Sequence, residues 1–185
     1  IITWQWNFDD GNTSTVQSPT NLFSSDGTYN ISLSITSDSG CADSITVPIQ
    51  IHPIPAAGFT VSDVCLYDTS FFSNTSSVSS GSITWSWDFD DGNSSSSESP
   101  FHIYASDGSY NVSLVVTSKK GCADTITQTV LVFPAPLANF TSTSVCFGEP
   151  TAFTDQTIVL NDVVTKWEWT FGDGSPVDST TSDPV

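Results

Sequence analysis

Between residues 85 and 89 apolar and polar side chains alternate one for one, with Trp85, Trp87 and Phe89 on one parity and Ser86 and Asp88 on the other. A second run keeps the same period: Tyr110, Val112, Leu114 and Val116 fall on one side, Asn111, Ser113, Val115 and Thr117 on the other. Successive side chains of a strand point to opposite faces, so each run predicts a strand with one buried and one wetted face. Turn signals separate the runs at Asp91-Gly92-Asn93, Asp107-Gly108 and Lys120-Gly121, where glycine takes positive φ without steric cost. No helical period is present. The pattern predicts an antiparallel sandwich of about seven strands over 56–133, with Trp85, Trp87, Phe89, Tyr110, Val112 and Leu114 in its core.

These runs recur. Trp4-Gln5-Trp6-Asn7-Phe8-Asp9-Asp10-Gly11-Asn12 returns as Trp85-Ser86-Trp87-Asp88-Phe89-Asp90-Asp91-Gly92-Asn93, and again, degraded, from Trp167 to Gly174. Asp26–Ile45 and Asp107–Ile126 agree at 13 of 20 positions, and Cys41 with Cys122 and Cys65 with Cys146 each stand 81 residues apart. A fixed period of this length is the mark of a tandem array. The paired prolines Pro53/Pro55 and Pro134/Pro136 stand at equivalent places, and proline's missing N–H makes each pair a stiff extended linker. The expected division is therefore 1–53 as the C-terminal part of one module, 54–135 as a complete module, and 136–185 as the N-terminal part of a third. Each partial module would leave unpaired strand edges and an open apolar face. Two routes would cover them: continuation of the same polypeptide, or head-to-tail contact with another copy, which propagates into a filament.

Composition narrows the function classes. Ser, Thr, β-branched and aromatic residues suit a pleated surface, and six Trp, four Tyr and twelve Phe supply a core despite only 37% hydrophobic residues. Three Lys and no Arg against 20 Asp and Glu give a net charge of −17, which excludes a nucleic-acid binder and disfavours an anionic membrane surface. No apolar run approaches the ~18 residues of a membrane span, so no membrane insertion is expected of this segment.

The quoted residues resemble the PKD domain, an immunoglobulin-like sandwich whose hallmark is W-x-F-G-D-G, then H-x-Y, then G-x-Y-x-V-x-L. Trp169-Thr170-Phe171-Gly172-Asp173-Gly174 matches the first element in full. The earlier copies carry Asp90 and Asp9 in place of its first Gly. His102-Ile103-Tyr104 and Gly108-Ser109-Tyr110-Asn111-Val112-Ser113-Leu114 supply the rest, whereas the first module has Asn21-Leu22-Phe23 at the second element. The resemblance implies tandem all-β immunoglobulin-like modules. The cysteine pattern is similar to PKD arrays of bacterial, notably Bacteroidetes, surface proteins. It implies a spacer, adhesive or fibre-forming role at the cell surface or outside the cell. Such modules also accompany secreted proteases and polysaccharide hydrolases.

Four cysteines on a strict repeat, with no C-x-x-C and no His placed to complete a zinc site, favour disulfides in an oxidising compartment. Three connectivities of Cys41, Cys65, Cys122 and Cys146 are open. The local pairs would be Cys41–Cys65 and Cys122–Cys146, but in a sandwich Cys122 falls in the loop between the last two strands and Cys146 before the second strand at the far end of the next module, two strand lengths away. The cysteine before the second strand is instead expected close to the following module's final hairpin loop, so a staple from one module to its neighbour is favoured. Asp88, Asp90 and Asp91 are candidate calcium ligands, the only cofactor suggested; the simpler role for such a turn is to cap its own backbone. N-x-S/T occurs at Asn12, Asn30, Asn74, Asn93, Asn111 and Asn139. Asp43-Ser44-Ile45 and Asp124-Thr125-Ile126 resemble a Bacteroidetes O-glycan acceptor, adding Ser44 and Thr125. The two His, His52 and His102, occupy non-equivalent positions, and no triad or phosphate loop is present. No catalysis is expected. The expected function is a structural or adhesive repeat region of a surface protein or fibre, its partners copies of itself, adjacent repeats or glycans. The alternative is an accessory spacer or carbohydrate-binding region of a secreted hydrolase.

Overall fold

The computed structural model describes residues 3–160, 162–179 and 181–184. Among them every regular element is a strand. In the first repeat β1 (Thr3–Asn7), β2 (Thr13–Ser14), β3 (Gly27–Thr36) and β4 (Ala42–Ile51) form one antiparallel sheet, ordered β2-β1-β3-β4. The middle repeat contains β5 (Phe59–Thr60), β6 (Val64–Cys65), β7 (Thr69–Phe71), β8 (Ser73–Asn74), β9 (Ile83–Asp88), β10 (Ser94–Ser95), β11 (Phe101–Ile103), β12 (Gly108–Ser118) and β13 (Ala123–Phe133). Its larger sheet is ordered β10-β9-β12-β13-β6, and the pairs β5-β8 and β11-β7 make up the opposing layer.

Nine strand segments here amount to seven strands, because the first and second each break in two. β5 pairs with β8 and β6 with β13, so the first strand changes sheets. Between its halves the Asp63 carboxylate accepts the Leu131 N–H at 2.8 Å. The second strand breaks at Phe72, whose N–H turns aside to the Pro100 carbonyl, 3.0 Å away.

Register carries the alternating pattern into the core. Trp87 stands opposite Leu114 and Trp85 opposite Val116 on β12; the first repeat sets Trp6 opposite Leu33 and Trp4 opposite Ile35. Trp87, Phe89, Val112, Leu114 and Val116 are buried together with Phe59, Phe72 and Tyr104. Phe59 meets Trp87 edge-on at 5.0 Å and Phe72 lies 5.6 Å from the same ring, an aromatic cluster that dominates the cohesion. The Trp87 indole N–H donates to the Ser97 carbonyl (2.9 Å), as Trp6 does to Val16 (3.1 Å). Two expected core residues are only half-buried. Tyr110 stacks on Tyr104 at 4.1 Å and sends its hydroxyl out to the Ser106 carbonyl, while Trp85 packs at the core's margin.

The third repeat is sparser. β14 (Phe140–Ser142) and β15 (Phe153–Asp155) pair, and Trp169 makes an isolated bridge to Asp178. Among the described residues the segment equivalent to β9 forms no ladder beyond that bridge. Phe140, Phe153, Trp169 and Phe171 still cluster at 5.3–6.1 Å.

The first and middle repeats meet at a short joint. Pro55 is buried, and the Ser79 hydroxyl donates to the Asp26 carboxylate across the joint at 3.3 Å. One cleft of about 490 Å³ is lined by His52 and Pro53 on one side and Ser118, Lys119 and Lys120 of the β12–β13 hairpin on the other.

Candidate functional site

The acidic turn after β9 carries three carboxylates, Asp88, Asp90 and Asp91. Asp90 has φ 64° and Gly92 φ 88°. The turn is closed by its own carboxylates: Asp88 accepts the Asp90 N–H at 3.0 Å and Asp91 the Asn93 N–H at 3.0 Å. Asp90 Oδ2 reaches across to accept the Asn111 N–H of β12 at 2.8 Å. The first repeat reproduces this arrangement, with Asp9 at φ 63° accepting the Asn30 N–H at 2.8 Å. In the third repeat Gly172 holds the same position at φ 80°. Asp88, Asp90 and Asp91 thus each hold a backbone N–H. Among the described residues no group of three or more His, Cys, Asp and Glu is placed to hold a metal ion.

His102 Nε2 lies 2.7 Å from Asp91 Oδ2. Its ring stacks on Phe89 at 4.3 Å and meets Tyr104 edge-on at 4.7 Å. Burial pushes the Asp91 carboxyl up, but hydrogen bonds from His102 and Asn93 outweigh it and hold the group below its ordinary range. Burial also drives the Tyr104 phenol well above its usual value, with Asp91 adding to the effect. In the first repeat Asn21 takes the histidine's part, donating to Asp10 Oδ2 at 2.7 Å, and is the chief cause holding that carboxyl low. An amide performs the same task as the imidazole, so the task is to brace the turn. His52 is at the joint, on another part of the fold, and the two histidines share no site.

The sequons divide. Asn12, Asn30, Asn93, Asn111 and Asn139 are exposed, whereas Asn74 is half-buried and accepts the Ser76 N–H. Ser44 and Thr125 are exposed on β4 and β13. Cys41, Cys65, Cys122 and Cys146 form no disulfide with one another in this chain. Cys65 stands opposite Phe133 at the module's exit, and Cys122 sits in the hairpin at its entrance.

Sequence reasoning passed over an exposed apolar patch. Phe71 and Phe101 stand directly opposite on β7 and β11, each 69% exposed, with Ile103 at 50% beside them. The signal was available, since an inward His102 forces Phe101 and Ile103 outward.

The PKD domain family model matches residues 1–53 and 52–132. Among curated proteins, the pre-pro-metalloprotease PrtV of Vibrio cholerae is 28% identical over 131 residues, 69% of this chain and 14% of that protein. A microbial collagenase of Vibrio alginolyticus is 48% identical over 46 residues, 25% of this chain and 6% of that protein. The chain therefore spans at most 14% of the length of these relatives. Among solved structures, the PKD1 domain of Vibrio anguillarum Epp is 34% identical, with 44% of this chain and 96% of that one covered and a TM-score of 0.42. The PKD1 domain of the Vibrio cholerae metalloprotease PrtV is 37% identical over 44% of this chain and 98% of that one, with a TM-score of 0.37. These relatives are Vibrio proteins and give no support to a Bacteroidetes origin.

Proposed function

The chain belongs to the PKD domain family, and we propose that it is a structural, adhesive repeat region of an extracellular surface protein or fibre, associating end to end with copies of itself. The PKD domain is a non-catalytic unit, and its role is structural or accessory. The observation that carries the proposal is the joint. Buried Pro55, the Asp26–Ser79 hydrogen bond and the cleft that His52 and Pro53 share with the next module's hairpin bring the first and middle modules together. Such coupling turns an array into a spacer that holds its length, which a flexible linker cannot do. Apolar surface is available for end-to-end contact. Trp4, Trp6 and Leu33 are half-buried, and a cleft of about 590 Å³ in the third repeat is lined by Phe140, Phe153, Trp169 and Phe171. Five exposed sequons, with Ser44 and Thr125, offer attachment points for glycans on outward faces. No helix among the described residues is long and apolar enough to cross a membrane.

Light scattering over a range of concentrations tests the association. The expected outcome is a mass that climbs with concentration; a monomer at every concentration, with both terminal repeats protected from amide exchange, refutes it. The accessory reading has its own support, because the named relatives are a metalloprotease and a collagenase. Binding of the chain to insoluble polysaccharide or collagen, abolished by F71A/F101A, would favour that reading.

A further inference from the structure

No two of the four cysteines can bond within one chain of this geometry. Cys122 precedes β13 and Cys65 stands opposite its last residue, so the eleven residues of that strand separate them. At ~3.3 Å per residue the gap is on the order of 35 Å, whereas disulfide-bonded Cα atoms lie ~4.4–6.8 Å apart. Cys41 opens β4, the strand that runs from it to the first joint, so it lies at that module's far end from Cys65 and Cys122. Cys146 is the repeat counterpart of Cys65, one module further along.

The same geometry puts one kind of cysteine at a module's exit and the other at its entrance, so they face each other across a joint between consecutive modules. His52 and the hairpin residues Ser118–Lys120 line the same cleft, and Cys122 closes that hairpin with its N–H donated to Ser118 Oγ at 3.2 Å. The 81-residue repeat makes His52 the counterpart of Phe133. Phe133 is the residue paired with Cys65, and its carbonyl also receives the Leu66 N–H at 2.8 Å. The residue of one module that faces the next module's hairpin across this cleft is thus the counterpart of the residue that stands beside Cys65 in the middle module.

We propose that consecutive modules are stapled by a disulfide from the cysteine at the Cys65 position of one to the hairpin cysteine at the Cys122 position of the next. Two thiols lose two protons and two electrons as the S–S bond forms. The electrons pass to an external disulfide, which is reduced to two thiols. The staple deepens the structural reading and rests on it only in requiring modules in series. It would fix the joint that the Asp26–Ser79 hydrogen bond holds weakly.

Two proteins test it. The first joins two copies of 55–135, one 81-residue period with a complete core, so that the natural proline spacing of the joint is kept, and oxidises the folded tandem with glutathione disulfide. Non-reducing peptide mapping should find one cross-link, between Cys65 of the first copy and Cys122 of the second, with the outer two thiols still open to alkylation. Cys65→Ser in the first copy should abolish it. Four alkylatable thiols, a bond inside one copy, or bonds only between separate polypeptides would overturn the proposal. The second is the 185-residue protein carrying His52→Cys, in which a short bis-maleimide should bridge residues 52 and 122. Absence of that bridge in folded protein also overturns it. Small-angle scattering on the same tandem keeps the two readings apart. An extended tandem without the bond refutes the staple alone, and a freely jointed one refutes the structural reading.

Discussion

Replacing Asp90 separates two effects that the acidic turn combines. At φ 64° the residue lies in the left-handed region, where an ordinary L-residue pays ~1–2 kcal/mol and Asn or Asp pays less. Its carboxylate also ties the turn to β12 through the Asn111 N–H, 2.8 Å away. Bonds to charged acceptors contribute ~1.5–3 kcal/mol, and the exposure of Asp90 brings this one down to about 1 kcal/mol. Asp90→Asn keeps an acceptor and tolerates the backbone, so its cost should stay within ~0.5 kcal/mol. Asp90→Gly loses the bond and adds unfolded-state freedom but removes the remaining strain, for a net cost of about 1 kcal/mol. Asp90→Ala loses the bond and takes the full strain, roughly 2 kcal/mol. Urea unfolding of the middle module at neutral pH should therefore rank Asn above Gly above Ala. A glycine variant as stable as the parent would refute the tether, and an alanine variant equal to glycine would refute the strain.

Trp87→Ala should cost ~3–5 kcal/mol in the same assay, because it empties the centre of the aromatic cluster; a cost below ~1 kcal/mol would contradict the packing. Asp91 carries a pH dependence. Its folded carboxyl lies below the ordinary 3.8, so the stabilisation is complete above that value and is lost as the pH falls through the lower folded one. Melting followed from pH 5 downward should show Asp91→Asn with a flatter acid limb than the parent, and parallel limbs would dismiss the contribution. Chelation should leave the melting temperature unchanged, since Asp88, Asp90 and Asp91 each hold a backbone N–H. A calcium-dependent rise on adding the ion back would overturn that assignment.

Much of the core was legible because period-two alternation states which side chains share a face, and one partner strand fixes the register. Trp87, Phe89, Val112 and Leu114 are buried as that pattern requires. Other features depend on contacts that alternation does not encode. Tyr110 has core parity, yet it stands near the end of β12, where its hydroxyl finds a carbonyl at the rim. Asp90 reads in sequence as a departure from glycine. The backbone keeps the glycine's positive φ, and the side chain supplies the bond that offsets its cost. The breaks in the first two strands follow from Asp63 and Pro100, residues distant in sequence from the groups they bind.

The repeats also allow one module to be read against another without reference to any other protein. Features that build the sandwich recur at the 81-residue spacing: the indole bond of Trp87 and Trp6, the Asp90 and Asp9 tethers, and the brace that His102 and Asn21 provide by different chemistry. Some outward positions recur, as Asn30 and Asn111 do, but others do not. Phe101 is matched by Thr20, Phe71 by Ala152 and Lys119 by Asp38. A spacer needs like interiors but places no such demand on its flanks or on every residue lining a joint, where Ser79 is matched by Leu160. Whatever distinguishes one module from the next is therefore carried on the β7–β11 face and at the hairpin tip. In the middle module that means an apolar pair, Phe71 and Phe101, and a doubly basic turn, Lys119-Lys120, in a chain of net charge −17. A tandem of identical middle modules would keep the joint and repeat both features at every step. Comparing its association with that of the natural chain would show whether the flanks or the joints drive assembly.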